Sequence, residues 1–256
     1  MDKATLESLF DVRDRVAIVT GGTRGIGRAV AEGFAAGGAK VVVGSRKAEA
    51  CAETEEHLVT MGAEALGLAT HMGSIDDGQR LVAAAVERFG GIDIVVNNAA
   101  NALTQPLGHF TPEAWQKSFD VNLRGPVFLV QAALPYLEQS QHASVINVIS
   151  AGAFLFSSNV AMYGAAKAAL MAFTRSMAAD FAPRGIRVNA LAPGTVDTDM
   201  VRANPPEGQK AMANASFMRR AASPDEMVGP VLYLASDASS FMTGQVLLVD
   251  GGMVPH

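Results

Sequence analysis

The chain has 256 residues, of which 49% are hydrophobic and 18% charged, with a formal net charge of −5. At about 150 residues per domain this length allows one or two domains, and the apolar content is enough for a large core. Lys and Arg form no dense cluster, which disfavours nucleic acid as a partner, and a single cysteine (Cys51) excludes an internal disulfide. No apolar run approaches 18 residues, and residues 1–15 lack the apolar stretch of a signal peptide. A protein of a reducing compartment, cytoplasmic and away from membranes, is the expectation.

In chain order, short β-branched runs alternate with longer helix-like segments. The strand candidates are Arg15–Thr20, Lys40–Gly44, Ala65–Ala69, Ile92–Val96, Ser144–Ile149, Ile186–Leu191 and Gln245–Val249. Their apolar residues run on without alternating, as in strands covered on both faces. Between them, Thr111-Pro112-Glu113 reads as an N-cap with a first-turn proline, and Ser223-Pro224-Asp225-Glu226 as a capping box. The segment from Ala161 to Ala182 carries only Lys167, Arg175 and Asp180 as charges, too few for the polar face of a surface helix. It is expected to pack the sheet on one side and another subunit on the other. With no linker or repeat, the fold class is α/β: one Rossmann-type, doubly wound domain over residues 1–256, with about seven parallel strands and helices on both faces. Residues 1–13 form an N-terminal extension.

Directly after the first strand stands Thr20-Gly21-Gly22-Thr23-Arg24-Gly25-Ile26-Gly27, opening an Ala-rich helix. Strand before and helix after is the context a dinucleotide fingerprint demands. Gly21 permits the tight turn, Gly25 lets backbone approach phosphate, and Gly27 lets the helix pack closely, so the helix N-terminus can receive a pyrophosphate. A P-loop is excluded, because Arg28 and Ala29 stand where Lys and Ser/Thr are required. A methyltransferase remains possible at this point. About 20 residues on, where NAD-binding folds place a carboxylate for the ribose 2′-hydroxyl, the chain has Ser45, Arg46 and Lys47. Arg46 can grip a 2′-phosphate bidentately and Arg24 can flank it, which favours NADP(H) over NAD(H).

Tyr163 and Lys167 are spaced i, i+4 and share a helix face. A nearby ammonium, together with a cationic oxidised nicotinamide, is expected to lower the phenol's pKa toward a useful range. Ser150 ends an apolar strand thirteen residues upstream, where α/β sheets display ligand-binding groups, and could polarise a substrate carbonyl.

With these motifs in order, the chain resembles the classical short-chain dehydrogenase/reductase family from Asp14 to about Gly252. The resemblance implies a catalytic group of Ser150, Tyr163 and Lys167, joined by Asn122 of Phe-Asp-Val-Asn-Leu, which holds a water in a proton relay. The family's Asn-Asn-Ala-Gly maps to Asn97-Asn98-Ala99-Ala100, placing Asn98 and Ala99 at the cofactor. Its Pro-Gly-x-x-x-Thr maps to Pro193, Gly194 and Thr198, with Val196 against the nicotinamide carboxamide. A homotetramer is also implied. Three positions depart from the pattern: Ala100 for Gly, Ile149 for the first Ser of a pair, and His71 for an adenine-binding Asp, beside which Met72 could pack on the ring.

The expected chemistry is metal-free hydride transfer between NADP(H) and a carbonyl or secondary alcohol. Tyr163 trades the proton, Ser150 holds the substrate oxygen, and Lys167 holds the nicotinamide ribose. The five histidines (57, 71, 109, 142 and 256) show no metal-ligand spacing. Residues 199–222 should form a substrate lid whose Met200, Met212, Phe217 and Met218, with Phe154, Leu155 and Phe156, make an apolar wall. Arg219 and Arg220 could instead greet an anion. Two alternatives stand: a reductase of 3-oxoacyl thioesters on acyl carrier protein or coenzyme A, and a catalytically idle NADP(H)-binding sensor.

Overall fold

A computed structural model describes residues 1–156 and 160–254. His256 therefore lies outside the described residues. The elements run α1 (Lys3–Leu9), β1 (Val16–Thr20), α2 (Gly25–Ala36), β2 (Lys40–Ser45), α3 (Ala48–Thr60), β3 (Ala65–Ala69), α4 (Ile75–Phe89) and β4 (Ile94–Asn97). Then follow α5 (Pro112–Phe119), α6 (Gly125–Leu137), β5 (Ser144–Val148), α7 (Ala161–Phe181), β6 (Arg187–Pro193), α8 (Asp199–Arg202), α9 (Pro206–Asn214), α10 (Val228–Ala235) and β7 (Val246–Val249).

All seven expected strands form, in one parallel sheet of order β3-β2-β1-β4-β5-β6-β7. β3 spans the expected residues, and the ends of the other strands differ from the sequence expectation by at most two residues. β6 runs on to Pro193, which sits at the end of its strand, where a missing N–H is tolerated. Along β1 the side chains alternate between two cores. Ala17 and Val19 join Val30 and Phe34 of α2, Leu58 of α3 and Val231 of α10. Val16 and Ile18 join Leu81 of α4, Leu129 of α6 and Met177 of α7. Both faces are covered, so a non-alternating run was the correct strand signal.

Local capping follows the sequence. Thr111 Oγ1 accepts from Ala114 N at 3.2 Å at the start of α5, and Ser74 Oγ accepts from Asp77 N at 3.2 Å at the start of α4. The Glu226 carboxylate accepts from Ser223 N at 2.8 Å, and the turn it closes, Pro224–Met227, is a 3₁₀ turn leading into α10. No helix among the described residues is long and apolar enough to cross a membrane.

The strand order reverses between β1, whose successors β2 and β3 lie to one side, and β4, which lies to the other. Ligands of open α/β sheets bind in the crevice outside the strand C-termini at such a point.

Candidate active site

At that crevice the loop after β1 and the loop after β4 are welded together. Thr20 Oγ1 accepts from Asn98 N at 3.0 Å and Ala99 N at 3.1 Å, and Asn98 Nδ2 donates to Thr20 O at 2.9 Å. Gly21 has φ +67°, and a Cβ there would lie 2.9 Å from Ala99 Cα. At Gly27 a Cβ would fall 2.3 Å from Gly21 O and 2.4 Å from Asn98 Nδ2. The closeness expected of Gly27 is thus to the glycine loop and Asn98. Ala100 fits, half-buried, in the same loop.

Arg24 is the N-cap residue of α2 and makes no side-chain cap, so the first-turn N–H groups around Gly25, Ile26 and Gly27 have no side-chain acceptor. Uncapped donors at the positive end of a helix dipole, facing a cradle that any Cβ would fill, are the donor set a pyrophosphate requires. Thr23 Oγ1 donates to Ser45 Oγ at 3.0 Å, tying the loop to the end of β2. Arg46 follows immediately, exposed. Arg24, expected to flank the same place, instead pairs with Asp199 of α8 at 3.3 Å. Met72, expected to pack on the adenine ring, is 4% exposed and packs in the core with Leu81 and Leu129.

Ser150 leaves the end of β5; its hydroxyl accepts from Gly152 N at 3.0 Å and lies close enough to the Tyr163 phenol to lower its pKa. Tyr163 and Lys167 lie one turn apart on α7, with Lys167 Nζ 5.7 Å from the phenol ring centroid. Lys167 is 1% exposed and donates to Val148 O at 2.7 Å. It makes no ion pair among the described residues.

Burial dominates the electrostatics of this pair. It raises the Tyr163 phenol above its ordinary value, against the lowering from Ser150, and brings the Lys167 amine down to about 7. The expected lowering of the phenol counts on a charged ammonium and on the cationic oxidised nicotinamide; in the free site burial acts in the other direction. Desolvation pushes both groups toward their neutral forms, and Lys167 has no carboxylate partner among the described residues to offset it.

Asn122 is fully buried in a π-helical turn, Asp120–Arg124, between α5 and α6. Its Oδ1 accepts from Asn101 N at 3.1 Å, and its Nδ2 donates to Asn101 O at 2.8 Å and Ser118 O at 2.9 Å. The side chain is consumed in holding the turn against the loop after β4, a common use of π-turns near functional sites. Asn101 and Ser118 were not singled out from the sequence, where each looks like an ordinary polar residue, and Thr20 was read only as the opening of the glycine fingerprint. A second buried polar chain runs through asparagines of two apolar strands: Asn97 Nδ2 donates to Asn147 Oδ1 at 2.8 Å, and Asn147 Nδ2 to Thr174 Oγ1 at 2.9 Å.

After β6, Pro193 and Gly194 lead to Val196, which is 4% exposed and bridges to Ala222. Asp197 N donates to Ala222 O at 2.8 Å and Ala222 N to Thr195 O at 2.9 Å, so residues 198–221 form an excursion closed at its neck. Thr198 closes on the glycine loop, its Cγ2 3.0 Å from where a Gly25 Cβ would stand. Met200, Phe217 and Met218 are exposed on the excursion, as are Leu155 and Phe156 after Ser150. Arg220 is held by Glu226 through two contacts of 2.7 Å, and Arg202 by Asp197 through contacts of 2.8 and 2.9 Å. Among the described residues no three His, Cys, Asp or Glu side chains gather as metal ligands.

A family model described as Enoyl-(Acyl carrier protein) reductase matches residues 21–254. The chain is 38% identical over 242 residues to Dehydrogenase/reductase SDR family member 4 of Pongo abelii, covering 93% of this chain and 87% of that one. It belongs to the classical short-chain dehydrogenase/reductase family. To the L-rhamnose 1-dehydrogenase (NAD(P)(+)) of Azotobacter vinelandii it is 36% identical, over 94% of this chain and 96% of the relative. The solved 3-oxoacyl (acyl-carrier-protein) reductase of Agrobacterium tumefaciens C58, with NADP bound, superimposes with a TM-score of 0.90 at 38% identity, covering 96% of this chain and 97% of that one. The family is one of oxidoreductases, and the Rossmann-type sheet is its fold.

Proposed function

We propose that this protein transfers a hydride between NADP(H) and the carbonyl or secondary alcohol of a small apolar substrate. The observation that carries the reading is the gathering of Ser150, Tyr163 and a buried Lys167, without a carboxylate partner among the described residues, at the same end of the sheet as the uncapped helix and glycine cradle that follow β1. Such an arrangement leaves a buried amine and a phenol poised for partners that the protein itself does not supply.

The bound dinucleotide supplies the hydride donor or acceptor at its nicotinamide ring. Gly21, Gly25 and Gly27 with Thr23 and Ile26 hold the pyrophosphate; Ser45 and Arg46, with Arg24, hold the 2′-phosphate; Asn98, Ala99, Pro193, Gly194, Val196 and Thr198 line the nicotinamide half. Lys167 takes the nicotinamide ribose hydroxyls, which gives its ammonium the hydrogen-bond acceptors that the free site lacks. Ser150 donates to the substrate oxygen. Tyr163 gives that oxygen its proton in reduction and removes it in oxidation. Asn122, its side chain locked by Asn101, serves the relay by holding the π-turn in place. Its water contact falls to backbone.

Residues 199–222 act as the substrate lid of a single domain, with residues 1–13 as an appendage. Their methionines and phenylalanines suit an apolar substrate. Arg220 and Arg202 are already neutralised by carboxylates, so Arg219 alone among the lid arginines is open to an anion. The solved Agrobacterium reductase supports a second reading, reduction of a 3-oxoacyl thioester. A cytoplasmic homotetramer would cover the outward Phe173 of α7 and the half-buried edge strand β7. An NADPH-oxidation screen over apolar ketones, aldehydes and 3-oxoacyl thioesters, with the Tyr163→Phe protein as blank, tests the assignment. Turnover of an apolar ketone by the native chain alone is the expected result.

A further inference from the structure

Two arginines near the Thr23–Ser45 clasp, Arg24 in the glycine loop and Arg46 after β2, have unlike surroundings. Arg46 is exposed beside the Thr23–Ser45 clasp and makes no ion pair among the described residues. Arg24 adjoins the same clasp, one residue after Thr23, but its guanidinium is drawn across to the Asp199 carboxylate at 3.3 Å. The other carboxylate at this end of the lid, Asp197, is saturated by Arg202 through two hydrogen bonds. Asp199 therefore has Arg24 as its ion-pair partner, and the approach of the two segments is fixed independently by Thr198 packing on Gly25. The pair is exposed on both sides, at 67% and 61%, so it is weak enough to be exchanged for a stronger anion.

We propose that Asp199 is a specificity-determining residue. It holds Arg24 in the free protein and competes with the cofactor's 2′-phosphate for it, so that the chain's preference for NADP(H) is set by Arg24 and Arg46 against Asp199. A dianionic phosphate takes Arg24 from a monocarboxylate; a 2′-hydroxyl has no charge with which to do so, and leaves the pair in place. Asp199 thus lowers the affinity for NADP(H) while leaving NAD(H) untouched. It does so in two ways: it occupies a needed cation, and it sets a negative charge beside the phosphate. The inference rests on the reading that these arginines bind a 2′-phosphate.

The experiment is titration of NADPH and NADH binding, followed by nicotinamide fluorescence, for the native chain, Asp199→Asn, Arg24→Ala, Arg46→Ala and Arg24→Ala/Asp199→Asn. For Asp199→Asn the expected result is NADPH binding tightened about 2- to 5-fold, with NADH changed less than about 2-fold. The gain should shrink with added salt and largely vanish in the Arg24→Ala background. Unchanged NADPH affinity in Asp199→Asn, while Arg24→Ala weakens it, overturns the role of Asp199 and keeps the underlying reading. If neither Arg24→Ala nor Arg46→Ala weakens NADPH, the 2′-phosphate reading itself falls. Equal tightening of both cofactors overturns the proposal too, because it assigns Asp199 to lid packing.

Discussion

The two ends of the sheet treat charge in opposite ways. At the N-terminal end, before β1, Arg15 donates to Ala235 O at 3.1 Å and to Asp237 at 3.0 Å. Arg187, opening β6, donates to Leu234 O at 2.9 Å, Ser239 Oγ at 2.7 Å and Ser236 O at 3.2 Å. Together they cap the carbonyl end of α10, where the helix dipole favours cations. Asp93 accepts from Val16 N at 2.8 Å and bonds Ser140, while His142 reaches Asp237 at 3.1 Å. Every one of these groups is satisfied from within. At the C-terminal end Lys167 is buried without a carboxylate, α2 lacks a side-chain cap, and Arg46 has no ion-pair partner among the described residues. Polar groups that a fold completes for itself hold structure together, and those it leaves incomplete are available to a ligand.

Substitutions at the two ends should therefore separate activity from stability. The largest expected effect is from Tyr163→Phe, which removes the one oxygen that trades the proton. Its kcat should fall about 10²- to 10⁴-fold with the thermal midpoint little changed. Near-native turnover, measured by NADPH oxidation, would remove Tyr163 from the acid–base role. Arg187→Leu at the other end should do the reverse. It strips donors from Leu234 O, Ser236 O and Ser239, with an expected loss of about 2–3 kcal/mol and a Tm lower by about 5–10 °C. Below that midpoint kcat/KM should stay native. A kinetic defect there would break the distinction between the ends.

Lys167→Met probes the same contrast through pH. The folded-state amine titrates near 7, below its ordinary value of 10.5, so between those values the unfolded chain binds more protons than the folded one. The native protein should gain stability as pH rises through that window, and below about pH 7 it bears the full desolvation cost. Removing the amine should abolish turnover yet raise stability at pH 6, by about 1–3 kcal/mol after loss of the bond to Val148 O. That gain should fade toward pH 10.5. Thermal melts of both proteins at pH 6 and pH 10 test the sign, and a methionine variant that is less stable at pH 6 would contradict it.

What was legible in the sequence follows the same division. Apolar runs, glycine spacing and the i, i+4 pair are local patterns, and they located the strands, the cradle and the Ser150–Tyr163–Lys167 meeting. Features that depend on long-range partners were not legible. Arg15 and Arg187 cap a helix 220 and 47 residues away, and Arg24 meets a carboxylate 175 residues on. The π-turn at Asn122 depends on Asn101 across a loop, with nothing in Asp-Val-Asn-Leu-Arg to mark it. The direction of the Tyr163 shift in the free site was not legible either, because spacing reports proximity and says nothing of burial, the largest cause at both Tyr163 and Lys167.

The smallest effect expected at the ligand end comes from Thr23→Val. The hydroxyl of Thr23 donates to Ser45 Oγ at 3.0 Å and fixes the glycine loop to the end of β2 without touching any charge. Its loss leaves a partly exposed Ser45 hydroxyl that water can satisfy, so the penalty should be that of one neutral hydrogen bond, about 0.5–1.5 kcal/mol. Because the clasp positions the loop for either dinucleotide, KM should rise about 2- to 10-fold for NADPH and NADH alike. Charge-bearing variants at Arg46 should instead move NADPH alone. A Thr23→Val protein that lost NADPH selectively would show that the clasp acts mainly by setting Ser45 for the 2′-phosphate, and the positioning of the loop for both dinucleotides would then rest on other contacts.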